Sequence, residues 1–248
     1  MDCPKNCPHL KGSRSGPVSL LVAALWLTLG AALLVPGRAP AQTVFDAYRT
    51  FENSLSAAEQ AAAVTTFDDP DRRAYRLTPG TRGGLALMNM DDATRAATFA
   101  LLESALTDRG MAVVRGAIDR EARLAKIEDS PDYRNPDKYY LALFGRSDAP
   151  RWALRFEGHH LSINLTFSGE TLVSVTPFLL GANPRELPDQ TPDPLAPFLA
   201  NHENEPAFLS EFARLFRHEA PGTLLDGARV ETSGFGLWRH PHMEVLSP

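Results

Sequence analysis

Cysteine is nearly missing. The 248-residue chain has two, Cys3 and Cys7, and both precede its one long apolar run. Once that leader is removed no thiol remains, which excludes thiolate catalysis, a disulfide framework and cysteine-ligated zinc. Basic charge is also in deficit. Lys+Arg number 25 against Asp+Glu 30, a net charge of −5. A chain of that sign has no electrostatic footprint for a phosphate backbone, so nucleic acid is not an expected partner. The glycine-flanked serine elbow, the phosphate-binding loop and the dinucleotide fingerprint are all lacking. A single apolar run excludes a polytopic membrane protein.

What is present begins with an export signal. Lys5, Lys11 and Arg14 precede an apolar run from Val18 to Val35, with only Ser19, Thr28 and Gly30 interspersed. Pro36 and Gly37 end the run, and Ala39-Pro40-Ala41 puts small residues at the two positions a signal peptidase reads. That order predicts a secretory signal peptide over residues 1–41 and a periplasmic or extracellular protein without stable membrane insertion. The alternative is an uncleaved N-terminal anchor, since 18 residues just span a bilayer. Cleavage leaves 207 residues and removes four basic groups and one acid, taking the net charge to −8.

The remaining chain divides by period. Phe45 to Phe67 reads as one amphipathic helix plus a tail, with Ser56 and Glu59 spaced as a capping box. Asp91 opens a helix carrying Ala96, Phe99, Leu102, Ala105 and Leu106 on one face, and Gly110 sits where a helix stop would fall. A second helix follows, with Val114, Ile118, Leu124 and Ile127 inward and Arg120, Glu121 and Arg123 outward. After Pro131 the period changes to strand candidates at 138–144, 152–156, 161–167 and 172–178, joined too tightly for parallel pairing. The expectation is an α+β domain over 42–220, a helical hairpin packed on an antiparallel β-meander. Pro184 to Pro197 reads as a connector, Pro206 to His218 as a helix, and 221–248 as an irregular tail broken by Gly222, Gly227, Gly234 and Gly236.

One stretch is chemically unusual: Arg155-Phe156-Glu157-Gly158-His159-His160-Leu161-Ser162-Ile163-Asn164. Alternation along a strand would point Arg155, Glu157 and His159 one way and His160, Ser162 and Asn164 the other, unless Gly158 makes a bulge. Three functional readings fit. His159 and Glu157 could supply two ligands for zinc, iron or manganese, with bound water as nucleophile. His159 or His160 could be a general base tuned by Glu157, making Glu157, His159 and His160 the catalytic candidates. Arg155, Trp152, Ser162, Asn164 and Asn183 could instead line a pocket for a small polar ligand. The competing structural account is a satisfied polar seam in which Arg155 pairs with Glu157. The two function classes are therefore an exported hydrolase, metal-dependent or histidine-based, and a non-catalytic binding module. Oligomeric state is not legible. His202-Glu203-Asn204-Glu205 lacks a second histidine at zincin spacing, and His240 and His242 form an alternating pair near the end of the chain. The sequon Asn164-Leu165-Thr166 falls inside an expected strand and reads as chance.

Together Tyr139-Tyr140-Leu141-Ala142-Leu143-Phe144-Gly145, Trp152, the Arg155–Asn164 block, Thr176-Pro177-Phe178 and Gly181-Ala182-Asn183-Pro184 resemble the uncharacterised family DUF3500. Phe67-Asp68-Asp69 with Arg72-Arg73, and the Leu85 to Asp91 lead into a helix, are similar to the same family. The resemblance covers roughly residues 45 to 200. It implies an exported bacterial protein and no particular activity. It also implies a longer chain with a second aromatic strand region. Nothing after Pro221 matches that region, so the C-terminal part reads as shortened or diverged.

Overall fold

Local capping decides where the first helices begin and end. In the computed structural model, Thr43 caps α1 (Val44–Ser54) by accepting from the Asp46 amide at 3.1 Å. The single helix expected from Phe45 is divided at Leu55, because Ser56 takes extended backbone to cap α2 (Ala57–Ala63). The Glu59 carboxylate returns the bond to the Ser56 amide at 2.8 Å, completing the expected capping box. Asp91 caps α3 (Asp92–Ala105) through the Thr94 amide at 2.7 Å. The expected stop at Gly110 is not there. Leu106 is extended, Thr107 caps α4 (Asp108–Ile127), and Gly110 lies in the first turn of α4. A Cβ at Gly110 would meet the Leu215 carbonyl at 2.3 Å, so this glycine serves a close backbone approach rather than a helix end.

The structure describes residues 42–74, 76, 78–184, 187, 192–193, 195–196 and 212–217, and the backbone of two strands further on. Residues 1–41, expected to be a signal peptide, His202–Glu205 and most of the expected helix at 206–218 lie outside the described residues. Among the described residues no helix is long and apolar enough to cross a membrane.

Nine strands form one mixed sheet: β1 (Val64–Thr65), β2 (Leu85–Ala86), β3 (Tyr140–Phe144), β4 (Arg151–Gly158), β5 (Leu161–Ser168), β6 (Thr171–Ser174), β7 (Phe178–Leu180), β8 (Ala228–Ser233) and β9 (Trp238–Met243). The order is β1-β3-β4-β5-β7-β9-β8, with β2 beside β3 and β6 beside β5. Among the described residues only β1 with β3 is parallel and the α-helices number four, so the protein is α+β. The strand expected over 172–178 is split into β6 and β7, both antiparallel to β5. Pro177 lies between them and has no N–H to give to a ladder. The tail expected to be irregular contains β8 and β9, paired antiparallel, with β9 meeting β7 at Leu180 and Arg239. Its glycines at 227, 234 and 236 flank the strands instead of interrupting them. His240 and His242 lie in β9, whose side chains are outside the described residues.

Strands β3, β4 and β5 are covered on both faces, which is why nearly every residue in them is buried. One face carries Leu141, Leu143, Leu154, Phe156, Leu161, Ile163 and Leu165 into a core with Tyr48, Phe51, Leu101 and Val114 from the helices. The other carries Ala142, Phe144 and Ala153 under Phe67. Register puts Arg155 opposite Ala142 and Asn164, and Glu157 opposite Tyr140 and Ser162, so these polar side chains share that second face. Asp71, Arg76 and Arg82 lie over it.

The hairpin between β4 and β5 depends on Gly158. A Cβ there would sit 2.3–2.6 Å from the ring of fully buried Tyr139. Gly158→Ala is expected to destabilise the protein by about 1–3 kcal/mol through overpacking, read as a lower urea midpoint. A midpoint equal to the parent's would show that the ring is free to move aside.

Candidate functional site

The unusual block does not run straight. Gly158 pairs with Leu161, so His159 and His160 are the two residues of a tight hairpin loop. Such loops need left-handed backbone, and His160 takes it at φ 65. Histidine is among the few non-glycine residues enriched in that region. Both carbonyls of the loop are tied: Tyr139 Oη donates to His159 O at 2.8 Å, and the Gly181 amide donates to His160 O at 2.8 Å.

The loop therefore presents both imidazoles to one side. Their rings stack with centroids 3.6 Å apart and planes inclined by 22°. Glu121 of α4 meets them: His159 Nδ1 lies 2.9 Å from its Oε2, and His160 Nδ1 lies 3.1 Å from its Oε1. Each contact is a hydrogen bond only if Nδ1 carries the proton, which leaves Nε2 as the lone-pair nitrogen of each neutral ring. Arg134 joins from the following loop, with Nη1 3.4 Å from Glu121 Oε1 and 3.4 Å from His159 Nδ1. Its other nitrogens face outward. Nε and Nη2 fork onto Glu128 at 2.9 Å each, and Nη2 also donates to the Asn183 carbonyl at 2.9 Å. Exposed Tyr133 packs edge-on to His159, with ring centroids 5.5 Å apart.

Burial sets the charge states. His160 is pushed down to about 4 by desolvation, which its bond to Glu121 only partly offsets. Burial by itself raises the Glu121 carboxyl, but the bonds and charge of the two imidazoles outweigh it and hold the group at about 2. At neutral pH the cluster is thus a carboxylate receiving N–H bonds, with His160 uncharged. Glu121, His159 and His160 offer ligand atoms that all lie within 4.8 Å of one another, and all three are buried.

The other sequence candidates lie elsewhere. Glu157 does not join the imidazoles. It lies on the second face of the sheet, with Arg155 Nε 3.0 Å from its Oε2, Arg82 Nε 3.3 Å from its Oε1, and the Arg76 amide donating to Oε1 at 2.6 Å. Arg155 is further committed to Asp71, Nη2 to Oδ2 at 2.7 Å. The expected split of this block between two faces fails for a simple reason. The chain folds back at His159-His160, and residues paired across an antiparallel ladder share a face. Ser162 and Asn164 consequently sit beside Arg155 and Glu157, and Asn164 Nδ2 donates to the Pro177 carbonyl at 2.7 Å. Trp152 is a core residue stacked on Phe167 at 4.2 Å, with Nε1 donating to the Gly169 carbonyl. Six residues of strand separate it from Gly158, about 20 Å. Asn183 reaches the cluster only through its carbonyl.

Glu121, Arg134 and Tyr139 are the residues that sequence reasoning passed over. The signal for Glu121 was present. Val113, Val114, Ala117, Arg120, Glu121 and Leu124 recur at helical spacing and are all buried, so the stripe includes the two charged residues expected outside it. Ile127, expected inside, is exposed.

Two predictions follow from these environments. Glu157→Gln leaves two buried guanidiniums without their shared counter-charge and is expected to cost about 3–5 kcal/mol; a loss under 1 kcal/mol in urea unfolding would contradict the network. The second concerns acid. Between about 6.5 and 4 the unfolded chain protonates His160 while the fold keeps it neutral, and between about 4.5 and 2 the unfolded chain protonates Glu121 first. Both shifts make stability fall as pH falls, the His160 part by about 3 kcal/mol. With chelator present, the unfolding midpoint should decline steadily from pH 7 to pH 4, and less in His160→Asn. A flat profile would show that the imidazole is not buried neutral.

The family model of DUF3500, proteins of unknown function, matches residues 37–220 and so takes in every residue of the Glu121–His159–His160 cluster and the network behind it. No curated protein and no solved structure matches the chain. A match over this share of the sequence is decisive for kinship: the chain belongs to the DUF3500 family.

Proposed function

We propose that this protein is an exported, metal-dependent hydrolase whose divalent cation is held by Glu121, His159 and His160. The observation that carries the reading is the convergence of three buried ligand atoms within 4.8 Å on a helix and a hairpin loop that are far apart in sequence. Two imidazoles and a carboxylate are the donor set of zinc, iron and manganese sites. An ion at about 2.0–2.2 Å from its ligands holds them roughly 3–3.5 Å apart, and the 2.9 and 3.1 Å separations of Glu121 from the two Nδ1 atoms are close to that size. The ion would take the place of the two Nδ1 protons, each ring then carrying its proton on Nε2. The rings would turn slightly out of their stack to share one ion.

Three protein ligands leave a coordination position for water, as catalytic rather than closed structural sites do. The bound ion would lower the pKa of that water toward about 7 and so supply hydroxide near neutral pH. The chain's own groups support that role. Tyr139 and Gly181 fix the loop carbonyls, and Glu121 orients both imidazoles. In this reading the α3–α4 helical hairpin, packed on the antiparallel meander, is the frame that presents Glu121 to the loop. Export rests on the order of basic, apolar and small residues before Gln42.

Purified protein is expected to carry close to one zinc, iron or manganese ion per chain. Saturating added metal should contribute about 2.7 kcal/mol at 100 times Kd, a rise in melting temperature of several degrees. Glu121→Gln, His159→Ala and His160→Ala should each abolish the rise. Absence of stoichiometric metal together with an unchanged melting temperature in the parent protein would end this reading.

A further inference from the structure

Arg134 lies against the ligand cluster. Its Nη1 touches two of the three ligand groups, Glu121 Oε1 and His159 Nδ1, both at 3.4 Å. A guanidinium has no acceptor atom and keeps its charge at every working pH, so it cannot itself be a ligand. A fixed positive charge at that range opposes a divalent ion, most strongly in a site shielded from water. The two ends of the guanidinium are held very differently. Nε and Nη2 make three bonds of 2.9 Å to Glu128 and to the Asn183 carbonyl, whereas among the described residues Nη1 has only the two long contacts.

We propose that Arg134 is an internal competitor for the metal: its Nη1 neutralises Glu121, and cation binding requires that end to withdraw while the Glu128 fork keeps the side chain in place. The proposal rests on the metal reading above and adds its regulation. Glu128 is then the residue that sets the balance. By drawing the guanidinium outward it lowers the positive charge felt at Glu121, and it is exposed enough to be reached from solvent, with a side-chain accessibility of 35%. Whatever engages Glu128 or the Asn183 carbonyl from outside would change the affinity inside. Tyr133, which lies against both the Arg134 guanidinium and the His159 ring, marks the surface over this link.

Opposite effects from the two partners of one ion pair separate this role from a structural one. With zinc chloride as the probe and calorimetric titration of the full chain, Arg134→Gln is expected to bind zinc at least tenfold more tightly than the parent, about 1.4 kcal/mol. Glu128→Gln, which frees the guanidinium to lean on Glu121, should bind at least threefold more weakly. A purely structural ion pair would weaken zinc binding in both variants or in neither, and either result overturns the proposal while leaving the metal site standing. If neither the parent nor Arg134→Gln takes up zinc, the site itself has failed, and this proposal with it. Should Arg134→Gln fail to fold, the partly exposed Glu128→Gln decides alone: weaker binding supports competition, and unchanged binding refutes it.

Discussion

A carboxylate buried on a helix must be met by donors, and the way Glu121 is met organises this end of the molecule. Isolated, an ionised group at that depth would cost many kcal/mol. Here two imidazole N–H groups and one guanidinium converge on its two oxygens. Each donor comes from a different constraint. The imidazoles come from a hairpin loop whose register admits only two residues, and the guanidinium from the loop after α4. If the loop slipped by one residue, both rings would leave the carboxylate, because a one-residue shift turns side chains to the opposite face.

The protein holds a second ionic cluster only a few residues away, and the two are built for different ends. Around Glu157, two guanidiniums and a backbone amide enclose one carboxylate on the covered face of the sheet, and Asp71 balances the outer arginine. Those groups tie Asp71, Arg76 and Arg82 to β4. They have no neutral lone-pair nitrogen to offer. Around Glu121 two of the partners are imidazoles, and an imidazole in its neutral form retains a basic nitrogen after bonding the carboxylate. The loop thus offers a potential ligand set and the strand an anchor, although both sets of residues sit within one ten-residue block.

Much of the local structure was legible. The Ser56–Glu59 box, the Asp91 cap and the three central strands β3, β4 and β5 follow from side-chain hydrogen bonding and from the change of period at Pro131. The errors share a cause. Gly110 reads as a stop because glycine often ends helices, yet it is there to let the Leu215 backbone approach. Arg120 and Glu121 read as solvent-facing because charged residues usually are, yet their helical spacing places them with Val114, Ala117 and Leu124. Glu157 reads as the partner of His159 because it is two residues away, yet the fold-back at the loop gives that role to a residue 38 positions earlier.

The sequence by itself determined the α+β class and the family, and it marked the two adjacent histidines as chemically unusual, because caps, periodicity and residue chemistry act over a few neighbours. Only the tertiary structure decided which carboxylate those histidines meet. Pairing register and helix placement are long-range quantities, and local alternation along one strand cannot say what a different element brings to the end of it.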